Sequence, residues 1–281
     1  MKVTTWNVNG VRAREGQIFE WVRLERPDVV CLQETKASLN QVPLSLLELD
    51  GYWCYWHGHK GYSGVALHVS KARCPVRPVF SHPDFDHENR IALVELGELI
   101  VASIYVPNGG KDFPAKLRFL QALEAWVALQ QGRGQKLVLC GDLNVARTVA
   151  DVHPELNNPD QIGQTPQERA LLEKLLGHGL VDLLRSFAPD DDRLFTWWAP
   201  WRQHREKNIG WRLDYVLVSE GLAKQATACT AYREFGTSDH GPVQATFEGP
   251  LFDAAQVIAA PEPTGPGNVP PAKPQLELFG S

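Results

Sequence analysis

Short apolar runs bounded by turn residues recur along the chain: KVTTWNV, DVVCLQE, GVALHVS, RIALVEL, LIVASIYV, KLVLCGD, RLDYVLVS and PVQATF. They are brief and mostly rich in β-branched residues, which predicts strands. Helical patterns lie between some of them. In TPQERALLEKLLGHG, Thr165 can cap, Pro166 suits the first turn, Glu168 completes a capping box and Gly177 can end the helix. In DFPAKLRFLQALEAWVALQ, Leu117, Leu120, Leu123 and Val127 share one helical face. Strands follow one another directly as often as they alternate with helices. That predicts an α/β fold with two mixed or largely antiparallel sheets packed together and helices outside, not one doubly wound sheet. No repeat of fixed period is visible.

Composition narrows the picture. Of 281 residues, 43% are hydrophobic and nine are tryptophan, enough for a sizeable core. The five cysteines, Cys31, Cys54, Cys74, Cys140 and Cys229, are scattered without a CxxC pair. They read as buried thiols in a reducing compartment, not as a zinc site or disulfide framework. No run approaches the roughly 20 apolar residues of a membrane span, and MKVTTWNVNG has no signal-peptide layout. A cytoplasmic monomer without membrane attachment is expected.

The net charge of −5 gives no global sign of a nucleic-acid partner. One stretch does so locally: WRQHREKNIGWR (201–212) sets Arg202, Arg205, Lys207 and Arg212 against Glu206 alone, interleaved with Trp201 and Trp211. Such a loop is either a solvated surface or a phosphate-tracking element with aromatic wedges.

Four segments place polar clusters at strand ends. Asn7 and Asn9 of TWNVNG alternate with apolar neighbours and share a face. CLQETK ends an apolar run on Glu34; LCGDLNV projects Asp142 and Asn144 together; TSDHGPV puts Asp239 beside His240 before the last strand. Singly, each is an ordinary turn signal. Together they offer carboxylate and amide oxygens with no thiolate, a donor set for Mg²⁺, with Mn²⁺ as substitute, rather than zinc.

The ordered series TWNVNGVRA, QETK, YSGVAL, YVPNGG, GDLNVA, TPQER, GWRLDYVL and SDHGPV resembles the exonuclease III family of apurinic/apyrimidinic (AP) endonucleases from residue 5 to about 243. The stretch TWWAPWRQHREKNIGWRLDY is closer to the human-type branch. The resemblance implies a four-layered α/β sandwich and hydrolysis of the phosphodiester 5′ to an abasic site, leaving a 3′-hydroxyl, with 3′–5′ exonuclease and 3′-phosphodiesterase activity also within reach. By the same resemblance Glu34, helped by Asn7 and Asn9, binds the metal. Asp142, Asn144, Asp239 and His240 form the catalytic group and a candidate second metal site. Asp214 partners His240, and Tyr105 meets the scissile phosphate as hydrogen-bond donor or phenolate. Tyr62, Arg90, Asn108, Lys111, Asn158 and Arg202 match DNA-contact positions. Trp197, Trp211 and Leu213 match the wall of a lesion pocket, although the family often has phenylalanine at the first. The partner implied is double-stranded DNA with abasic or 3′-blocked sites. Two rivals are a superfamily phosphodiesterase for lipid or inositol phosphates and an inactive DNA-binding scaffold. The first lacks a visible membrane-binding hairpin, and the second predicts loss of residues that are all present.

The catalytic domain is expected over residues 1–250, followed by a disordered Pro-rich tether over 251–274 with six prolines between 261 and 274. Beyond it, QLELF (275–279) resembles the Gln-Leu-x-Leu-Phe peptides that dock bacterial polymerases and repair proteins on the sliding clamp. Leu276, Leu278 and Phe279 would be the apolar anchors and Gln275 the polar one.

Overall fold

The computed structural model describes residues 1–59 and 61–261. In chain order, β1 (Lys2–Asn7), α1 (Val11–Glu25) and β2 (Val29–Gln33) are followed by α2 (Leu44–Leu47) and the hairpin of β3 (Tyr52–His59) and β4 (Tyr62–Ser70). Then come β5 (Val79–Ser81), β6 (Ile91–Leu96), β7 (Leu99–Tyr105), α3 (Phe113–Gly132) and β8 (Lys136–Asp142). The second half holds α4 (Pro166–Leu176), β9 (Leu180–Asp182), α5 (Leu183–Phe187) and α6 (His204–Lys207). It closes with β10 (Asp214–Ser219), α7 (Glu220–Ala223), β11 (Ala226–Ala231) and β12 (Val243–Phe247).

The strands form two six-stranded sheets, ordered β11-β12-β1-β2-β4-β3 and β5-β6-β7-β8-β10-β9. Each has one parallel pair at its centre, β1 with β2 and β7 with β8, among antiparallel neighbours. Alternation along the strands assigns the faces. Val3, Val29, Cys31 and Val65 of the first sheet meet Val94, Val101, Val138 and Val216 of the second in one shared core. The opposite faces bury helices: Trp6, Val30 and Leu32 pack on Val11 and Ile18 of α1, while Leu137, Leu139 and Leu217 pack on α3 and α4. The order of layers is therefore helix, sheet, sheet, helix, the sandwich the sequence predicts. Among the described residues no helix is long and apolar enough to cross a membrane.

The helix signals resolve into real caps. Asp112 accepts from Ala115 N–H at 2.8 Å to start α3, and Thr165 with Glu168 closes the capping box of α4. Glu168 does more than cap. It is fully buried, accepts from Gly163 N–H at 2.8 Å, and pairs at 2.5 Å with Lys116, which is also fully buried and donates to the carbonyl oxygens of Asn144 (2.6 Å) and Asn108 (3.2 Å).

The expected domain boundary at residue 250 moves outward. Leu251 and Val257 are buried in the shared core, Ala259 bridges Pro78, and Ala260 N–H donates to the Arg77 carbonyl at 2.8 Å. Apolar side chains at 251 and 257 can still reach the open end of the sandwich, so the packed chain outlasts its last strand by about ten residues. The clamp-peptide residues Gln275, Leu276, Leu278 and Phe279 lie outside the described residues.

Candidate active site

At one end of the sandwich, the inward face of each central strand turns polar. On β1 the series runs Val3, Thr5, Asn7; on β8 it runs Val138, Cys140, Asp142; on β7 it runs Val101, Ser103, Tyr105; and β10 opens with Asp214 before Val216 and Val218. The first polar tier is internal glue. Gln33 joins the sheets, donating to Ser103 Oγ at 2.9 Å and accepting from Thr5 Oγ at 3.1 Å. The tier above is the candidate site.

There Asp142 is almost fully buried and accepts hydrogen bonds at both oxygens. Asn7 Nδ2 donates to its Oδ2 at 2.9 Å, the Asn144 backbone N–H to Oδ1 at 2.9 Å, and Asn144 Nδ2 to Oδ2 at 3.1 Å. His240 Nε2 lies 3.8 Å from Oδ2, while Nδ1 bonds Asp214 Oδ2 at 2.8 Å. Burial pushes the Asp142 carboxyl up to about 7, with Asp214 adding repulsion and His240 opposing. Burial alone would lower His240, but the charges of Asp214 and Asp142 and the Asp214 bond raise it to about 10. His240 is thus an imidazolium held in orientation by Asp214.

Tyr105 stands at the same rim with its phenol pushed well above its ordinary range, by burial first and then by Glu34 and Asp142. Burial and these two carboxylates favour the neutral phenol. Arg90, expected on the DNA surface, is instead buried beneath it. Its guanidinium stacks between the Tyr62 and Tyr105 rings, 5.4 and 5.0 Å from their centroids, and donates to Tyr62 Oη and Glu88. Tyr62 itself is exposed, as are Asn108, Lys111, Asn158 and Arg202.

A hard-cation position is marked by a side chain the sequence motifs do not single out. Glu34 and Lys36 both adopt left-handed backbone angles, φ +53° and +50°, which bring them back to back across the end of β2. The Lys36 ammonium sits 2.8 Å from Glu34 Oε1 and 2.5 Å from Asn9 Oδ1. Glu34 and Asn9 thus turn a carboxylate and an amide oxygen towards one positive group, a hard-oxygen pair that fits the cation the donor set suggests. The carboxylate and imidazole atoms of Asp142, Asp214 and His240 also lie within 4.8 Å of one another. That second position admits a cation only once His240 gives up its proton.

Beside the cluster, Trp211, Leu213, Ala146 and Val152 form a small apolar group with Trp197 packed against it. The pocket residues expected from sequence are therefore together. The basic loop is not what its composition predicts. Arg212 is fully buried, bonded to Asp151 at 2.7 Å and Asp182 at 2.8 Å. Arg205 donates to the carbonyls of Arg233, Phe235 and Ser238, bracing the segment that leads into Asp239 and His240. Two carboxylates draw the one inward and three carbonyls the other, partners that no local window shows. Trp201 and Arg202 remain exposed.

The Endonuclease/Exonuclease/phosphatase family pattern matches residues 4–240. Recombination repair protein 1 of Drosophila melanogaster is 35% identical over 257 residues, covering 88% of this chain but 37% of that protein, so the chain spans little more than a third of its length. The exodeoxyribonuclease of Bacillus subtilis is 34% identical over 249 residues, covering 87% of this chain and 98% of that one. An AP endonuclease structure from Archaeoglobus fulgidus superposes with a TM-score of 0.80 at 28% identity, covering 89% of this chain and 100% of that one. Sandwich, strand-end cluster and sequence agree: the chain belongs to the Endonuclease/Exonuclease/phosphatase family.

Proposed function

We propose that this chain is a Mg²⁺-dependent DNA repair nuclease of base excision repair. It hydrolyses the phosphodiester 5′ to an abasic site, leaves a 3′-hydroxyl, and acts on blocked 3′ ends with the same groups. One observation carries the reading: a buried carboxylate poised near neutrality faces an imidazolium, a phenol and a hard-cation position, with the apolar cluster of Trp197, Trp211 and Leu213 alongside.

The roles follow from the contacts. Asp142 takes the proton of the attacking water, and Asn144 holds that water in line. His240 donates Nε2–H to a phosphate oxygen while Asp214 keeps its other N–H engaged. Tyr105 donates its phenolic O–H to the same phosphate. Glu34 and Asn9, supported by Asn7, would hold a divalent cation, which would supply neutralisation of phosphate charge and of the leaving 3′-oxygen. An abasic sugar has no base to unstack and turns out cheaply; Trp197, Trp211 and Leu213 enclose it and exclude a full nucleotide by size. Tyr62, Asn108, Lys111, Asn158 and Arg202 contact the duplex, with Arg90 acting from beneath by fixing Tyr62 and Tyr105.

The test is nicking of a duplex carrying one tetrahydrofuran abasic analogue. Cleavage with Mg²⁺, none with EDTA, and a loss of about 10³-fold or more in Asp142→Asn are expected. Cation-independent cleavage, or none at all, contradicts the proposal.

The tail is proposed to bind the sliding clamp. The last described residues run beside Arg77 and Pro78, near the β6–β7 turn and the buried Met1, at the end of the sandwich away from Asp142. Clamp binding by the tail would raise the local concentration of enzyme on clamp-loaded DNA. Leu278→Ala with Phe279→Ala should abolish clamp binding in a pull-down and leave nicking of a short duplex unchanged. Undiminished clamp binding by the double variant refutes this.

A further inference from the structure

Trp197 belongs to two neighbourhoods at once. Its ring meets Trp211 edge to face, centroids 5.7 Å apart and planes at 73°, as part of the apolar cluster proposed to receive the abasic sugar. Its indole N–H donates to Asp239 Oδ2 at 3.0 Å. The other oxygen of that carboxylate, Oδ1, accepts from Asn9 Nδ2 at 2.8 Å, and Asn9 Oδ1 in turn receives the Lys36 ammonium that also pairs with Glu34. An unbroken polar chain therefore joins the cation-binding oxygens to the pocket wall. The backbone ties its far end down: Trp197 bridges His240, and Trp198 N–H donates to the Asp239 carbonyl at 2.9 Å. Asp239 can rotate its carboxylate but cannot move away.

We propose that Trp197 is a positioning residue whose indole N–H keeps Asp239 turned to the protein and off the cation, so that filling the pocket and loading the cation are coupled. The inference rests on the nuclease reading of the site. A carboxylate that accepts an N–H bond at each oxygen is held in one orientation by those donors, and Asp239 keeps its charge but not its freedom to turn towards a neighbouring ion. A sugar entering the pocket must separate a pair of rings already in edge contact, and an indole that shifts loses its bond to Oδ2. The freed oxygen is then a half-buried acceptor without a donor, a state a cation relieves. Coupling of this kind is reciprocal: the ligand that tightens cation binding is itself held more tightly by the cation.

The experiment measures Mn²⁺ binding by electron paramagnetic resonance, without DNA, for the wild type, Trp197→Phe, Asp239→Asn and the double variant. Phenylalanine keeps an aromatic wall and removes only the donor. The expected result is Mn²⁺ binding about five-fold tighter in Trp197→Phe than in the wild type, with no such gain when Asp239→Asn is the background. Equal Mn²⁺ affinity in wild type and Trp197→Phe overturns the proposal, and so does a gain that survives Asp239→Asn. Thermal melts accompany each variant, and Trp197→Leu, also without a donor, replaces the phenylalanine if that variant is unfolded. The two readings fail separately. A gain in Mn²⁺ affinity on Trp197→Phe in an enzyme whose wild type cuts no abasic duplex sinks the nuclease reading alone; active nicking with equal affinities sinks the coupling alone.

Discussion

Asp142 is pulled two ways, and the balance makes it useful. Burial and Asp214 favour its neutral form, while the imidazolium of His240 and the amides of Asn7 and Asn144 favour the anion. A group settled near neutrality can accept a proton and release it again. His240, raised to about 10, keeps its own proton through the same range. At saturating Mg²⁺ the rate should climb as pH rises through about 7, or below it where the cation draws Asp142 down, and fall as pH approaches 10. Asp214→Asn removes the charge that holds both values up. Both limbs of the pH–rate profile should move to lower pH, the alkaline limb further, because Asp214 acts on His240 by charge and by a direct bond. An alkaline limb that does not move would show that His240 is not the titrating acid.

Elements decide which of these residues can be read from sequence. The strand-end groups Asn7, Asp142 and Asp214 are legible because alternation is local: a polar residue in phase with Val3, Val138 or Val216 must face the same side as they do. Gly141, just before Asp142, is legible only afterwards. A side chain there would run into the Ile104 carbonyl of β7, at φ +149°. The loop 201–212 is the opposite case. Its charges look alike in sequence, but partners 28 to 61 residues away take Arg205 and Arg212 inside. Salt dependence separates them. Arg202→Ala should lower the slope of log affinity for DNA against log salt by about 1, the signature of one lost phosphate contact. Arg205→Ala should leave that slope unchanged and lower the melting temperature. A reduced slope for Arg205→Ala would return it to the DNA surface.

On the scale of the whole molecule, two sheets pressed face to face leave one end where their inward series finish together. Apolar residues fill the middle, Thr5, Gln33 and Ser103 tie the sheets below the rim, and the reactive groups occupy the rim itself. The positions are held by strands and their hydrogen-bonded ladders, so little reorganisation remains for the reaction. The four layers were legible from strand pairing and helix signals. The outward shift of the domain boundary was not, because Leu251 and Val257 find their core across the molecule rather than along the chain. If the rim delivers water to phosphorus, the oxygen of that water must stay with the product. Cleaving an abasic duplex in H₂¹⁸O and weighing both fragments shows where it goes. A 3′-hydroxyl on the upstream fragment and one ¹⁸O in the phosphate of the downstream one are expected. An unsaturated aldehyde on the upstream 3′ end, with no ¹⁸O in the phosphate of either fragment, would mean elimination rather than hydrolysis and would contradict the assignment of Asp142 and its neighbours.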